Sequence, residues 1–366
     1  MAAPAKTLVI DADAHVVESA RTWDYMDASD AKYKPQLVEV PGDTKLQYWL
    51  IDGKVRGFRF PAFTPEQLED MSRRVGRTLT ASQDAMEMAD VDLRLRHMDQ
   101  VGIDVQVLHN TMFIEHVTDS PAAEVAICKS WNRWLGDIWS KGQGRLRWSC
   151  VLPLLSVPDA LDQMRWSNEH GACAVLMRPV EGSRQLIDPY FYPVFEEASK
   201  LDLAIAVHIA NGSPWLTEFF HHPVFQAQAF QRFRVPTVGA VHDLLMSDIP
   251  LMFPKLRFGF IEASAQWMPW IWNEARKRFK PLGREWPDNI AREYRIFVTC
   301  ENSDDLPNII QHVGEDCLLI GTDYGHTDPS SDIDAIRTFQ QRTDLSPEVK
   351  RKILHDNPAA LYGLAV

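Results

Sequence analysis

Asp13, His15 and Glu18 fall within one short stretch, Val9-Ile10-Asp11-Ala12-Asp13-Ala14-His15-Val16-Val17-Glu18. In an extended strand, residues i and i+2 point to the same side. Asp13 and His15 can therefore aim a carboxylate oxygen and an imidazole nitrogen at one point, which is half a metal site. The plainer alternative is an aspartate capping a turn beside a histidine with one local hydrogen bond. Similar groups recur at the ends of later apolar runs. His109 and Asn110 follow residues 103–108, and Arg178 follows 172–177. His208 closes 204–208, Glu262 closes 256–262, and Glu301 follows 295–300. Asp323 follows 317–322 and precedes Tyr324-Gly325-His326.

As metal ligands this set supplies Asp13, His15, Glu18, His208, Glu262, Glu301 and Asp323. It is rich in carboxylate, poor in imidazole and free of thiolate. Such donors suit Fe(II), Mn(II) or Zn(II) and disfavour Cu(I). They exceed the three protein ligands usual for one catalytic zinc. Two ions sharing a carboxylate would use the surplus. So would one ion with Asp323, Glu262 and His326 as acid–base groups. Individually, His208 fits a core histidine, Asp323 a helix cap, and Glu262 a salt bridge. Arg178 fits an internal ion pair or a substrate carboxylate. His109 and Asn110 are candidate substrate contacts, whereas His221 and His222 fall in a loop and read as ordinary.

The elements that must position these groups alternate regularly. Residues 7–10 read as a first buried strand, and seven further strand-like runs are separated by helical stretches, including 86–101 and a tryptophan-rich 121–141. Short apolar strands alternating with helices imply parallel pairing under helical cover. Eight such units predict an α/β fold, a (β/α)8 barrel over residues 1–366, with the active site at the C-terminal strand ends. Residues 24–84 break the rhythm. There, residues 46–51 and 54–58 flank Asp52-Gly53, a hairpin signal, so this region reads as a cap-like insertion after the first strand.

The 366 residues carry 45% hydrophobic side chains, enough for a large core, and a formal charge of −12 without a basic tract. Nucleic acid and anionic membrane surfaces are therefore poor partners. No apolar leader core and no run of membrane-spanning length is evident, so a cytoplasmic protein is expected. Cys128, Cys150, Cys173, Cys300 and Cys317 are scattered and read as reduced core residues. Most of the twelve tryptophans are expected to pack helices onto the core.

Several motifs together resemble the amidohydrolase superfamily, in particular its amidohydrolase-2 branch with the aminocarboxymuconate-semialdehyde decarboxylase-like enzymes. They are the stretch from Asp11 to Glu18, Phe253-Pro254-Lys255-Leu256-Arg257-Phe258-Gly259-Phe260-Ile261-Glu262, Trp267-Met268-Pro269-Trp270, Gly321-Thr322-Asp323-Tyr324-Gly325-His326, and Asn357-Pro358-Ala359-Ala360-Leu361-Tyr362-Gly363. The resemblance implies a metal-binding barrel with ligands at Asp13, His15, His208 and Asp323. Hydrolases of the superfamily usually open with His-x-His, where this chain has Asp13-Ala14-His15. Decarboxylases of the branch carry a histidine at the sixth strand, where this chain has Glu262.

Those two departures also resemble barrel enzymes that hold non-haem iron, as two ions, and activate dioxygen. The expectation is accordingly an iron-dependent monooxygenase acting on a carboxylated aromatic or acyl molecule, with a separate reductase and a homodimeric state as further expectations. The alternative is a Zn or Mn hydrolase or non-oxidative decarboxylase.

Overall fold

The computed structural model describes residues 7–40, 43–59, 64–75, 83–221, 230–326 and 332–365. His222 lies outside them. The strands in chain order are β1 (Ile10–His15), β2 (Gln36–Val40), β3 (Asp43–Ile51), β4 (Lys54–Phe58), β5 (Val105–His109), β6 (Leu146–Cys150) and β7 (Ala172–Met177). They continue with β8 (Val180–Glu181), β9 (Arg184–Gln185), β10 (Ala204–His208), β11 (Phe258–Ile261), β12 (Ile296–Cys300) and β13 (Leu318–Ile320).

Eight of these form one parallel sheet in the order β1-β5-β6-β7-β10-β11-β12-β13. The sheet nearly closes on itself. Thr322 N and Asp323 N donate to Asp13 O at 3.1 and 2.9 Å, and His15 N donates to Tyr324 O at 2.6 Å. This is the α/β barrel expected from the alternating pattern. The first strand begins three residues later than residues 7–10 and carries the acidic motif within itself. Each strand has few residues exposed because helices cover the outside and side chains fill the inside.

The barrel interior is filled mostly by small or branched residues, among them Ile10, Ala12, Val107, Ala174, Ala204 and Ala206. Leu361 and Tyr362, from the closing Asn357–Tyr362 helix, pack into the same cluster. A Cβ on Gly259 would lie 2.6 Å from Leu361 Cδ2, so the missing side chain admits the helix. The Tyr362 hydroxyl donates to Ala12 O at 2.8 Å, which satisfies the polar tip of a buried ring.

The helix Pro121–Lys141 starts as its sequence suggests, with Ser120 accepting from Ala123 N and proline in the first turn. The helix expected over 86–101 is split. A short helix spans Gln83–Met86, and Asp90 caps a second one at Val91–Val101 by accepting from Leu93 N. Gly102 then ends it at φ +81°.

Within 24–84, β2, β3 and β4 form an antiparallel sheet. Asp52 and Gly53 both have positive φ, 50° and 73°, as a tight hairpin requires. The sheet meets the loop after β5, where Thr118 Oγ1 donates to Asp52 Oδ2 at 3.0 Å. Trp49 is buried edge-on against Trp23. All five cysteines are free and buried. No helix among the described residues is long and apolar enough to cross a membrane.

Candidate metal centre

The first strand reaches the centre through a bulge. Asp11 pairs with Gln106 but Ala14 pairs with Leu108, so three residues of β1 oppose two of β5. A bulge inserts one residue and re-aims the side chains beyond it. It lets Ala12 pack in the barrel interior while Asp13 and His15 join the cluster at the strand ends. Gly321 makes room for this, since a Cβ there would lie 2.2 Å from Asp13 Cβ.

Five candidate ligand atoms lie close together. His15 Nε2 lies 3.4 Å from Asp13 Oδ1, 3.3 Å from Asp323 Oδ1 and 3.1 Å from His208 Nε2. His208 Nε2 lies 3.5 Å from Asp13 Oδ1 and 3.6 Å from Glu262 Oε2. His326 stacks on His15 at 3.9 Å and places Nδ1 2.8 Å from Asp323 Oδ1. These residues form two overlapping groups: Asp13, His15, His208 and Glu262; and His15, Glu262, Asp323 and His326.

The tautomers make the convergence chemical. His15 Nδ1 lies 2.7 Å from Asn110 O, and a carbonyl only accepts, so Nδ1 carries the hydrogen. His208 Nδ1 faces Ile209 O at 3.3 Å in the same sense. Both Nε2 lone pairs therefore point at the carboxylates. Two imidazole lone pairs 3.1 Å apart cannot hydrogen-bond each other; a cation between them and the acids satisfies both. Asp13 Oδ1 is buried and accepts no hydrogen bond among the described residues. A buried carboxylate oxygen in that state fits a metal ligand. Glu262 and Asp323 also hold left-handed backbone, at φ 58° and 50°, a strain that clusters at functional positions.

Electrostatics point the same way. Burial, with the neighbouring His326, pushes His15 down to about 3, so its imidazole is neutral and its lone pair available. Burial opposes ionisation of Asp13, but contacts with His15 and His208 outweigh it and hold the carboxyl well below its usual value. Burial likewise lowers His208, yet Asp13 and Glu262 prevail and raise it. The carboxylates thus create a point that favours positive charge, whether a proton or a metal ion.

Not every expected group joins the cluster. Glu18 belongs to neither group. Its carboxylate accepts from Thr111 N, Met112 N and Trp131 Nε1 at 3.2, 3.0 and 2.9 Å. Burial raises it to about 7, against those three donors. Its role is to fix the loop whose Thr111 Oγ1 meets His326 Nε2 at 3.0 Å. Glu301 is also outside both groups and binds Arg234 instead.

Arg178 pairs with Glu181 and donates to Phe113 O and Glu115 O, so it staples loops and is not open to a substrate. His109 spends Nδ1 on Ser149 and faces Ala12 O with Nε2, while Asn110 supplies its carbonyl to His15 and its Oδ1 to Phe113 N. Arg178 and His109 thus have their polar atoms turned onto the protein, whereas Asn110 Nδ2 is buried without a hydrogen-bond partner among the described residues. His221 lies exposed at the end of its loop.

A polar network under β1 escaped the sequence reading. Arg94, fully buried, donates Nε to Gln106 Oε1 at 2.8 Å, Nη1 to Ala85 O at 3.3 Å and Nη2 to His15 O at 3.2 Å. Gln106 Nε2 donates to Asp11 Oδ2, which also accepts from Thr322 Oγ1. Arg94 lies 3.5 Å over the ring of Tyr324, whose hydroxyl meets His97 Nδ1 at 2.7 Å. The network ties the backbone of β1 to the chain that carries Asp323 and His326. Its one visible signal is Gln106, polar in the middle of an apolar strand.

Among known proteins, the chain is 20% identical over 297 residues to 2-amino-3-carboxymuconate-6-semialdehyde decarboxylase of Dictyostelium discoideum, covering 75% of this chain and 77% of that protein. Its fold is similar to an amidohydrolase from Mycobacterium avium subsp. paratuberculosis K-10, at a TM-score of 0.75 and 19% identity, covering 98% of this chain and 100% of that one. It is also similar to 5-carboxyvanillate decarboxylase from Novosphingobium aromaticivorans DSM 12444, solved with manganese and 4-hydroxy-3-methoxy-5-nitrobenzoic acid. That match has a TM-score of 0.60 and 18% identity, over 82% of this chain and 93% of the other. The amidohydrolase-2 family model, described as amidohydrolase, matches residues 10–364, and the chain belongs to that family.

Proposed function

We propose that this chain is a divalent-metal-dependent carboxy-lyase acting on a small carboxylated molecule, with hydrolysis as the variant the same centre would support. The observation that carries metal dependence is the convergence of His15 Nε2 and His208 Nε2 on Asp13 Oδ1, a buried oxygen that accepts no hydrogen bond among the described residues. The reaction class takes its support from the decarboxylases among the similar proteins. Asp13, His15, His208, Glu262 and Asp323 would hold the ion. Bound Zn(II) or Mn(II) would supply Lewis acidity toward a substrate carboxylate or carbonyl.

The chain's own groups handle the proton. Thr111 Oγ1 donates to Val16 O, so it accepts from His326 Nε2. His326 Nδ1 then faces Asp323 Oδ1 at 2.8 Å, and a proton is held between those two atoms. Delivered to the carbon that loses its carboxylate, that proton completes the reaction.

A second reading, an iron-dependent monooxygenase, is favoured by one specific feature: His15 and Glu262 lie in both ligand groups, and of the two only Glu262, with two carboxylate oxygens, could be shared by two ions. In that reading iron supplies dioxygen activation, and a separate reductase supplies electrons. Metal analysis of anaerobically purified protein separates the two. One zinc or manganese per chain, with carbon dioxide released from hydroxylated benzoates at a rate unaffected by removing oxygen, supports the carboxy-lyase. Two irons per chain, with oxygen consumed when a reductant is added, overturns it.

A further inference from the structure

The end of the barrel opposite the metal ligands holds a cavity of about 620 Å3. Its walls come from the segments that lead into β10, β11, β12 and β13 and from the turn Lys352–Asp356. Arg257, in its wall, directly precedes β11, whereas Glu262 directly follows that strand. Five residues at strand rise separate the two by about 16 Å. The cavity is therefore distinct from the metal centre. Its volume suits a small organic molecule, since ligand pockets run from about 300 to 1,000 Å3.

Five cationic and three acidic side chains line the cavity, an excess of two positive charges in a chain whose formal charge is −12. The ion pairs show where the excess lies. Arg257 Nη1 donates to Asp202 Oδ1 at 2.6 Å. Lys352 Nζ donates to Asp316 Oδ1 at 2.8 Å, and Arg292 takes the other oxygen of that carboxylate. Asp356 is paired with Arg351 and Lys352 also with Glu315, both from outside the cavity, and these two added partners cancel. Arg295, by contrast, donates only to the carbonyls of Pro250, Leu256 and Glu293, at 2.7, 2.9 and 2.7 Å. Carbonyls fix a guanidinium without cancelling its charge, and two of its five N–H groups are left over. Lys255 is exposed and joins no ion pair among the described residues. Beside these two cations lies an apolar wall. Phe297 is half-buried, packs on the barrel-interior cluster and lines the cavity. A phosphate monoester carries about −1.5 to −2 charges near pH 7 and three strong acceptor oxygens, which matches the excess of two, and an aromatic body on that phosphate matches Phe297.

We propose that this cavity is a binding site for a phosphate monoester with a small aromatic body, its phosphate between Lys255 and Arg295 and its ring against Phe297. The site is independent of the reaction assigned to the metal centre. The test is calorimetric titration of the full chain, loaded with Mn(II) in about 0.15 M salt, using phenyl phosphate and inorganic phosphate as probes. Wild type is expected to bind phenyl phosphate about 10-fold tighter than inorganic phosphate, the gain from one aromatic contact. Lys255→Gln is expected to weaken both probes about 5-fold, as loss of one solvent-facing pair does, and Lys255→Glu about 25-fold, that factor applied twice. Phe297→Leu is expected to remove the preference for phenyl phosphate and keep the affinity for inorganic phosphate. Asp13→Ala removes a metal ligand and is expected to keep this site at full affinity, which separates it from phosphate held on the metal. Wild type without the preference, Lys255 variants that bind as wild type, Phe297→Leu with the preference intact, or loss of binding in Asp13→Ala would each overturn the site.

Discussion

Gly321→Ala tests whether the metal centre depends on the contact between the first and last barrel strands. A Cβ at position 321 would lie 2.2 Å from Asp13 Cβ, 2.8 Å from Asp13 N and 2.9 Å from Asp13 Cα. Carbon atoms normally rest about 3.5–4.0 Å apart. The strands would have to separate by about 1 Å, because two of the three clashing atoms are backbone and no rotamer relieves them. Separation strains the hydrogen bonds from Thr322 N and Asp323 N to Asp13 O. Overpacking costs about 1–3 kcal/mol, and each weakened bond adds about 1 kcal/mol. The expected loss is about 3–5 kcal/mol, seen as a melting temperature about 4–7 °C lower for a chain of this length. A ligand displaced by about 1 Å costs about 100-fold in rate. Metal content should fall together with stability, since Asp13 and Asp323 are the displaced residues. Gly239, in the helix Val235–Met246, has open space around it and serves as the control. Gly239→Ala should stabilise by about 0.5–1 kcal/mol. Thermal melts and elemental analysis of both variants decide the matter. A Gly321→Ala protein that melts with wild type and keeps its metal would refute the reasoning.

Two further predictions concern buried charge. Arg94→Met keeps the apolar contact with Tyr324 but strips donors from Gln106, Ala85 and His15; it should cost about 3–5 kcal/mol in urea unfolding and weaken metal retention, and full retention at wild-type stability would show that the network does not position the ligands. Glu124 is raised from 4.5 to about 7, chiefly by burial and against a hydrogen bond from Leu155 N. The folded chain therefore binds this proton more tightly than the unfolded chain, so its stabilising effect is complete below 4.5 and is lost as pH rises through about 7. From about pH 4.5 to 8, wild type should lose up to about 3 kcal/mol relative to Glu124→Gln, and parallel stability curves for the two proteins would sink this assignment.

Much of the fold is legible because its signals are periodic and local. The runs 172–177 and 204–208 coincide with β7 and β10, and Pro121–Lys141 coincides with its helix. Each is an apolar stretch bounded by residues that cannot continue it. The first strand is harder to place, because Asp11, Asp13 and His15 are polar yet fully or almost fully buried. Their burial is tolerated through partners that arrive from far along the chain: Thr322 for Asp11, and His208 for Asp13. No local pattern reveals such partners. The bulge within β1 is equally invisible, because it depends on the approach of Gly321 to Asp13.

The candidate site shows the same division more sharply. Strand-end position nominates Asp13, His15, His208, Glu262 and Asp323, and in the structure they fall in two overlapping groups. Position alone does not say whether a side chain keeps an open valence. Glu18 and Asp13 are both buried acids near the end of β1, yet three N–H groups converge on Glu18 and none on Asp13 Oδ1. Glu262 and Glu301 follow neighbouring strands, yet Glu301 is turned out to Arg234 while Glu262 turns in at φ 58°. What separates a ligand from a brace is therefore the supply of donors around it. That supply comes from loops, and in Glu301's case from an arginine 67 residues earlier in the chain. Residue type nominates the acids of such a site, and the donors that the fold supplies to Glu18 and Glu301 set those two apart from Asp13.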